Sequence, residues 1–435
     1  MHSQNPLAMT NQSSTSTTCP TNAVQKVEKS AHGRNTSAFE SEIHGRLLSS
    51  SLKRSMVSSL RARPEQTPVH RLISRRDILK LVGSSAGVAV LPRVACAAGE
   101  IHFPAGAVIR TVLKDVPPEA LAGGATLFHE HLSISYDFMM KLREGFEALL
   151  ATPGRQGPAL PPVARPWFME DLGLMVEEMR AAMNEGIACI VDGGHPDMGR
   201  DLQFLMQLST RSGMPIVAGF GYYAEPFYPP QIAQWSEEQI THELLRQART
   251  EPVGAFGEIG TWDVMTPTER KVFRAVGKAQ IATGMAVFTH TNFGKGAIEQ
   301  LDVLESVGVK PDRVAIGHVG GLTDPQAEVL RAICKRGAYV GFDRQGGPSD
   351  STQVAVIMTL LEASYADNLL FSSDFSFAPD LKRNGGPGYA KTVTVFAPKL
   401  REAGVPERTL HSILVDNPRR FLAFVPKARR MASWP

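Results

Sequence analysis

The sequence predicts an α/β fold, a TIM (β/α)8 barrel preceded by a short N-terminal β-hairpin. Three observations point to it. From about residue 105, short apolar runs rich in β-branched residues alternate with amphipathic stretches of helical length. Eight such pairs follow one another, and strand–helix alternation implies parallel pairing. The span they cover suits a closed eight-fold barrel, which takes about 250 residues or more. A doubly wound open sheet is the rival arrangement. No G-x-G-x-x-G follows the first strand, which weakens a dinucleotide-binding version of it.

In chain order, 108–112 and a turn at Pro117-Pro118 suggest the hairpin, placed over the barrel floor. Strands are expected at 125–128, 187–192, 216–219, 253–257, 286–289, 314–317, 338–342 and 369–372. Helices are expected between them at 171–185, 202–212, 237–249, 269–283, 298–306, 325–336 and 353–366, with a last helical stretch after Tyr389. The segment 153–166 holds five Pro and two Gly and reads as a long loop at the catalytic end. No second domain is expected.

The 435 residues are 43% hydrophobic, enough for a large core, and four Cys exclude a disulfide-stapled mini-protein. The net charge of +3 is misleading, because residues 1–97 carry 13 Lys and Arg against 5 Asp and Glu, leaving 33 against 38 in the rest. The basic excess lies in a leader. Residues 1–73 are Ser-, Thr-, Asn- and Gln-rich and read as disordered. Residues 74–97 place Arg75-Arg76 before a short apolar run and an Ala95-Cys96-Ala97 site, the order of a twin-arginine signal peptide. The run of about 11 residues is too short to span a bilayer. Cleavage is expected after Ala97, with Met56 a candidate start, export machinery as a partner, and a periplasmic or secreted product without a stable membrane anchor. The barrel domain is then 98–435. Cys189 and Cys334 are expected as buried free thiols, and nothing suggests a nucleic-acid partner.

Chemistry-bearing residues gather at the strand ends. The first strand ends in His129-Glu130-His131, the fourth in Gly257-Glu258, the fifth in Thr289-His290, the sixth in Gly317-His318 and the eighth in Ser373-Asp374. Side chains at i and i+2 of a strand point the same way, so His129 and His131 can reach one metal. Taken singly, each has a plainer reading: a satisfied histidine, a helix cap at Asp374, a mouth salt bridge at Glu258. Jointly they do not, since five of the eight His after residue 97 fall just past predicted strands, where barrel active sites lie. Neutral imidazole and carboxylate suit zinc, with manganese, cobalt or iron as alternatives. Thr289, Thr291, His195 and Glu130 are expected to support the site, Glu130 most simply as a structural residue because it points away from its two neighbours.

These motifs, Thr126-Leu127-Phe128-His129-Glu130-His131, Gly257-Glu258-Ile259-Gly260-Thr261, Thr289-His290-Thr291, Ile316-Gly317-His318 and Ser373-Asp374, with the tail Asp416-Asn417-Pro418-Arg419-Arg420-Phe421, resemble the phosphotriesterase family of the amidohydrolase superfamily. Many members bridge two metals with a carboxylated lysine on the fourth strand. Here Glu258 stands there, which resembles the homology-protein branch, as does Gly385-Gly386-Pro387-Gly388-Tyr389. The resemblance implies two divalent metal ions. His129, His131 and Asp374 would bind the buried ion, His290 and His318 the exposed one, and Glu258 with a hydroxide would bridge them. Glu258 and Asp374 would be the catalytic carboxylates, with Asp374 accepting the proton. Tyr223 and Arg344 resemble positions that contact substrate in lactonase members; a salt bridge is the plainer reading of Arg344.

The expected function is a two-metal hydrolase acting on a small-molecule ester: a phosphotriester, a phosphodiester or a lactone. A metal-containing ligand-binding barrel with little turnover is the alternative, although such a decayed site would be expected to have lost a ligand. The family resemblance also suggests a homodimer.

Overall fold

Eight parallel strands frame the molecule, in the order β10-β9-β8-β7-β6-β5-β4-β3 across one sheet. They are β3 (Ala125–Glu130), β4 (Ile187–Asp192), β5 (Ile216–Phe220), β6 (Val253–Gly260), β7 (Ala286–His290), β8 (Val314–Ile316), β9 (Tyr339–Phe342) and β10 (Leu369–Phe371). This computed structural model describes residues 101–152, 160–292, 294–322 and 324–427. The expected leader at 1–73 and signal at 74–97 lie outside the described residues. β3 and β10 close the ring at its C-terminal end, where His129 N–H donates to Ser372 Oγ (3.1 Å) and Asp374 N–H to His129 O (3.3 Å).

Alternation along the strands divides the core into two layers. Cys189 and Val191 of β4, Val217 of β5, Ala255 of β6 and Phe288 of β7 fill the barrel interior. Their neighbours Ile190, Ile216, Ala218, Phe256 and Val287 face the helices. Small residues occur where large ones approach: a Cβ at Gly257 would meet the Phe288 ring. The helices are fixed at their ends. Asp171 and Asp201 cap the helices Leu172–Asn184 and Leu202–Ser212, and Ser236 and Thr266 form capping boxes with Gln239 and Glu269. Glu269 also accepts the Trp262 and Glu225 N–H groups, which ties two mouth loops to one buried carboxylate.

The barrel and hairpin are present as expected, with three differences. The hairpin is shorter, pairing β1 (Ile109–Arg110) with β2 (Asp115–Val116), and it turns through 111–114 rather than at Pro117-Pro118, which opens a 3-10 turn instead. A helix, Tyr136–Leu150, lies in the first βα connection where the sequence reading placed none. Ser135 caps it by accepting Phe138 N–H, and only Phe138, Met139 and Phe146 are buried, so its apolar stripe is thin. Third, β6 runs three residues beyond its expected end, because the register shift between Phe256 and Ile259 lets pairing resume past Glu258. Cys189 and Cys334 are both free and buried, and burial pushes both thiols up to about 12. No helix among the described residues is long and apolar enough to cross a membrane.

The floor is sealed by the two ends of the domain. Val108 and Phe424 exchange backbone hydrogen bonds (2.8 and 3.0 Å), and Val112 N–H donates to Ile216 O (2.8 Å). Phe421 packs edge-on against Tyr339 (5.3 Å) beside Ile109 and Leu121. Truncation of this fully buried ring leaves a cavity in the floor. Phe421→Ala is therefore expected to cost about 3–5 kcal/mol of stability, read as a shifted urea-unfolding midpoint with little change in slope.

Candidate metal centre at the barrel mouth

The six expected residues converge on one point. The two oxygens of Glu258 divide the histidines into pairs. Oε2 lies 3.5 Å from His129 Nε2 and 3.4 Å from His131 Nε2. Oε1 lies 2.5 Å from His290 Nδ1 and 2.8 Å from His318 Nε2. Asp374 joins the first pair, with Oδ1 3.1 Å from His131 Nε2 and 3.8 Å from His129 Nε2. The ligating atoms of His129, His131 and Asp374, and those of Glu258, His290 and His318, each lie within 4.8 Å of one another. Donor atoms roughly 2.0–2.2 Å from one zinc ion lie about 3.3–3.6 Å apart in a tetrahedral site, and the Asp374 separations of 3.1 and 3.8 Å from His131 and His129 bracket that spacing.

The β3 backbone explains how His129 reaches the site. Phe128 packs on Phe288 inside the barrel (6.3 Å, edge-on), yet the next residue also faces inward. The register shift between Leu127 and Glu130 breaks the alternation and re-aims the strand end. His318 and Asp374 sit at φ +58° and +50°, a left-handed region that non-glycine residues enter only when their surroundings hold them there.

Asp343, the residue directly after β9, contacts two of the imidazoles. Its Oδ2 meets His129 Nδ1 (2.9 Å), while Oδ1 meets both the N–H and Nδ1 of His318 (2.9 Å each). Nδ1–H of both rings is thereby fixed on one carboxylate, and both Nε2 atoms are turned to the centre. One of its oxygens also belongs to a group of metal-binding geometry with His129 and His318. The Nδ1 contacts make Asp343 the orienter of these rings rather than a ligand. An acid directly after a predicted strand was the sequence signal for it.

Other positions fall as follows. His195 Nε2 contacts the Gly257 carbonyl, next to Glu258. Tyr223 is buried with its hydroxyl 3.2 Å from His290 Nε2. Arg344 donates from Nε to Asp374 Oδ2 (3.2 Å), and its side chain is 38% exposed against 16% for Asp374 and 0–4% for the four imidazoles and Glu258. Asp374 and Arg344 are thus the solvent face of the cluster. Thr291 Oγ1 donates to Gly317 O (2.9 Å), holding together the segments that follow His290 and precede His318. Tyr389 donates its hydroxyl to His131 O (2.8 Å) and stacks on Phe375 (3.9 Å). Gln300 was missed: its amide donates to His290 O (2.7 Å).

The charges are those of a cation site. Burial penalises ionised Glu258, but His129 and His290 hold its carboxyl well below the usual range. His131 is opposed by burial too, yet hydrogen bonds to Asp374 and Glu258 raise it to about 9. Burial wins at His290, which falls to about 4. His129 Nε2 is buried without a hydrogen-bond partner although it faces two carboxylates. An orphaned imidazole nitrogen among carboxylate oxygens is the donor set of a divalent cation.

An eight-fold parallel barrel with clustered His and carboxylates at its C-terminal mouth defines the class, a hydrolase-type barrel with a candidate metal centre. The sequence pattern of the phosphotriesterase family matches residues 108–422, and the chain belongs to that family. It is 32% identical over 263 residues to the phosphotriesterase homology protein of Escherichia coli (strain K12), covering 58% of this chain and 89% of that protein. It is 29% identical over 344 residues to the N-acetyltaurine hydrolase of Tetraodon nigroviridis, covering 73% and 98%. Among solved structures, the Escherichia coli homology protein complexed with phosphate in its active site aligns with a TM-score of 0.60, 28% identity and 69% and 99% coverage. A resiniferatoxin-binding protein from Rhodobacter sphaeroides aligns with a TM-score of 0.62, 27% identity and 74% and 96% coverage.

Metal uptake must displace the His131 proton. A free imidazole titrates at about 6.5, and His131 keeps its proton up to about 9. In the metal-free protein, the stability this contact adds is therefore full below pH 6.5 and lost as pH rises through 9. Divalent-metal affinity is expected to increase over the same interval, with proton release that a pH-stat titration at pH 7.5 records. Affinity independent of pH from 6.5 to 9 would contradict this site.

Proposed function

We propose that this protein is a two-metal hydrolase of ester-type bonds in phosphotriesters, phosphodiesters or lactones. The observation that carries the reading is the division of the Glu258 oxygens between His129/His131 and His290/His318, with Asp374 on the first pair. His129, His131 and Asp374 would hold one divalent ion, His290 and His318 the other, and Glu258 both. Zinc suits this donor set, with manganese, cobalt and iron as alternatives. Such a pair of cations, when bound, supplies a water acidified towards neutrality and polarises the scissile bond.

The chain's own residues do the rest. Asp374, whose burial is outweighed by His318 and His131 so that its pKa is lowered, is ionised and would accept a proton during attack. Arg344 keeps that carboxylate oriented through Nε and presents its remaining N–H groups outward, where an anionic or carbonyl oxygen of substrate can bind. Tyr223 lies against Phe138 (5.7 Å) and Phe227 (5.4 Å), and Trp262 against Phe227 (5.2 Å), giving an aromatic wall on the His290 side. That wall suits an apolar substrate group, and Tyr223 is placed to orient it.

A second reading, hydrolysis of an amide, is favoured by the similarity to N-acetyltaurine hydrolases across 98% of their length. The same attack and proton acceptance would serve it. Export by the twin-arginine route is also proposed, from residues 74–97.

Metal analysis of the purified chain, followed by assay of aryl phosphotriesters, phosphodiesters, lactones and N-acyl amides, tests the reading. About two metals per chain and turnover of one class are expected, with Asp374→Asn lowering kcat by about 10²–10⁴. Two metals with turnover of no class would favour the ligand-binding barrel. Replacing Arg75 and Arg76 by Lys is expected to retain full-length precursor in the cytoplasmic fraction, as read by immunoblot of fractionated cells.

A further inference from the structure

We infer that Glu130, the residue between the two histidines of β3, is the positioning residue for Asp374. The inference rests on the metal-centre reading above. Glu130 is fully buried and points away from the cluster, across the closing seam of the barrel. Its Oε1 accepts from Ser372 Oγ (2.8 Å), Ser373 N–H (2.8 Å) and Ser373 Oγ (2.9 Å). Its Oε2 accepts from Ser373 Oγ (2.8 Å) and Phe375 N–H (2.8 Å). Four donor groups thus converge on one side chain, and all of them come from residues that flank Asp374.

This arrangement dictates where the Asp374 carboxylate goes. The N–H groups on either side of Asp374 both point at Glu130. Its own N–H is held by His129 O, and its φ is +50°. With the backbone so fixed, the Asp374 side chain is delivered to the opposite face, against His131 Nε2 at 3.1 Å. Glu130 is itself flanked by His129 and His131, so one carboxylate sets the relative placement of all three ligands expected for one ion. Tyr389 grips the same turn from the other side, through His131 O and the Phe375 ring.

Only a carboxylate satisfies this cradle. It is acceptor-only at both oxygens, whereas the amide of a glutamine would aim N–H groups at donors already pointing inward. Aspartate is shorter by one methylene and would not reach. A purely structural glutamate in the strand would need none of this correspondence with the Asp374 turn.

The test uses the full chain and four variants: Glu130→Gln, Ser373→Ala, Asp374→Asn and the double variant Glu130→Gln/Asp374→Asn. Zinc affinity is measured by chelator competition, beside metal content, thermal unfolding and, where a substrate is found, kcat and KM. Glu130→Gln is expected to weaken the binding of one of two ions by about 10–100-fold, with kcat falling while KM holds. Ser373→Ala is expected to move the same quantities in the same direction by less. Because Glu130 acts through Asp374, the double variant should match Asp374→Asn within about twofold. A Glu130→Gln protein that melts earlier but binds both ions like the parent overturns the inference, as do effects that multiply in the double variant. If Glu130→Gln does not fold, unchanged zinc affinity in Ser373→Ala overturns it. A parent chain that binds no metal overturns the metal-centre reading and this inference with it; a parent that binds two, with unaltered variants, overturns this inference alone.

Discussion

Closure of the barrel between β3 and β10 is the constraint on which the rest of the molecule depends. An open eight-stranded sheet would leave two edges with unpaired backbone groups. Here the last gap is closed at the C-terminal end by His129, Glu130, Ser372, Ser373 and Asp374. The residues that complete the fold are thus the candidate site residues or their immediate neighbours. Placement of the site is inherited from closure: once the ring shuts, the H-x-H strand and the Asp374 turn meet, and β6, β7 and β8 bring Glu258, His290 and His318 from across the mouth.

Electrostatics then separates a built site from a structural ion-pair network. Glu258, Asp343 and Asp374 gather three carboxylates around four buried imidazoles. Burying charge is costly unless each group is paired. Protons on His129 and His131 provide partial pairing, yet His129 Nε2 is left without a hydrogen bond and burial keeps His290 largely neutral. Divalent cations would satisfy every one of these groups together. Asp343 adds the rigidity such a site requires, since it fixes two rings through nitrogens that face away from the centre.

Much of this was legible in the residues. The strand at 187–192 and the helix at 202–212 are found with the same limits, because their apolar periods are bounded by Gly and by an Asp N-cap. All six expected ligand positions lay just beyond predicted strands, and the structure brings these residues together. The helix Tyr136–Leu150 was not expected although its sequence is amphipathic; of its apolar residues only Phe138, Met139 and Phe146 are buried. The turn of the hairpin was misplaced because Pro117-Pro118 is a strong local turn signal, while the actual turn at 111–114 is held by Thr111 and Lys114. Asp343 and Tyr389 escaped assignment because each acts on a site residue far away in sequence, and Gln300 because its amide holds only the backbone carbonyl of His290 from the next helix.

The sequence by itself determined the alternation that makes a parallel barrel, the family and the identity of six clustered groups. Periodicity and local motif are short-range properties that a linear reading captures. The tertiary structure alone decided which oxygen of Glu258 faces which histidine, that Asp343 orients two rings, and that Glu130 grips the turn carrying Asp374. Those contacts join residues 25 to 245 positions apart. Their geometry follows from register shifts, left-handed backbone at His318 and Asp374, and closure of the ring, none of which has a local signature in the chain.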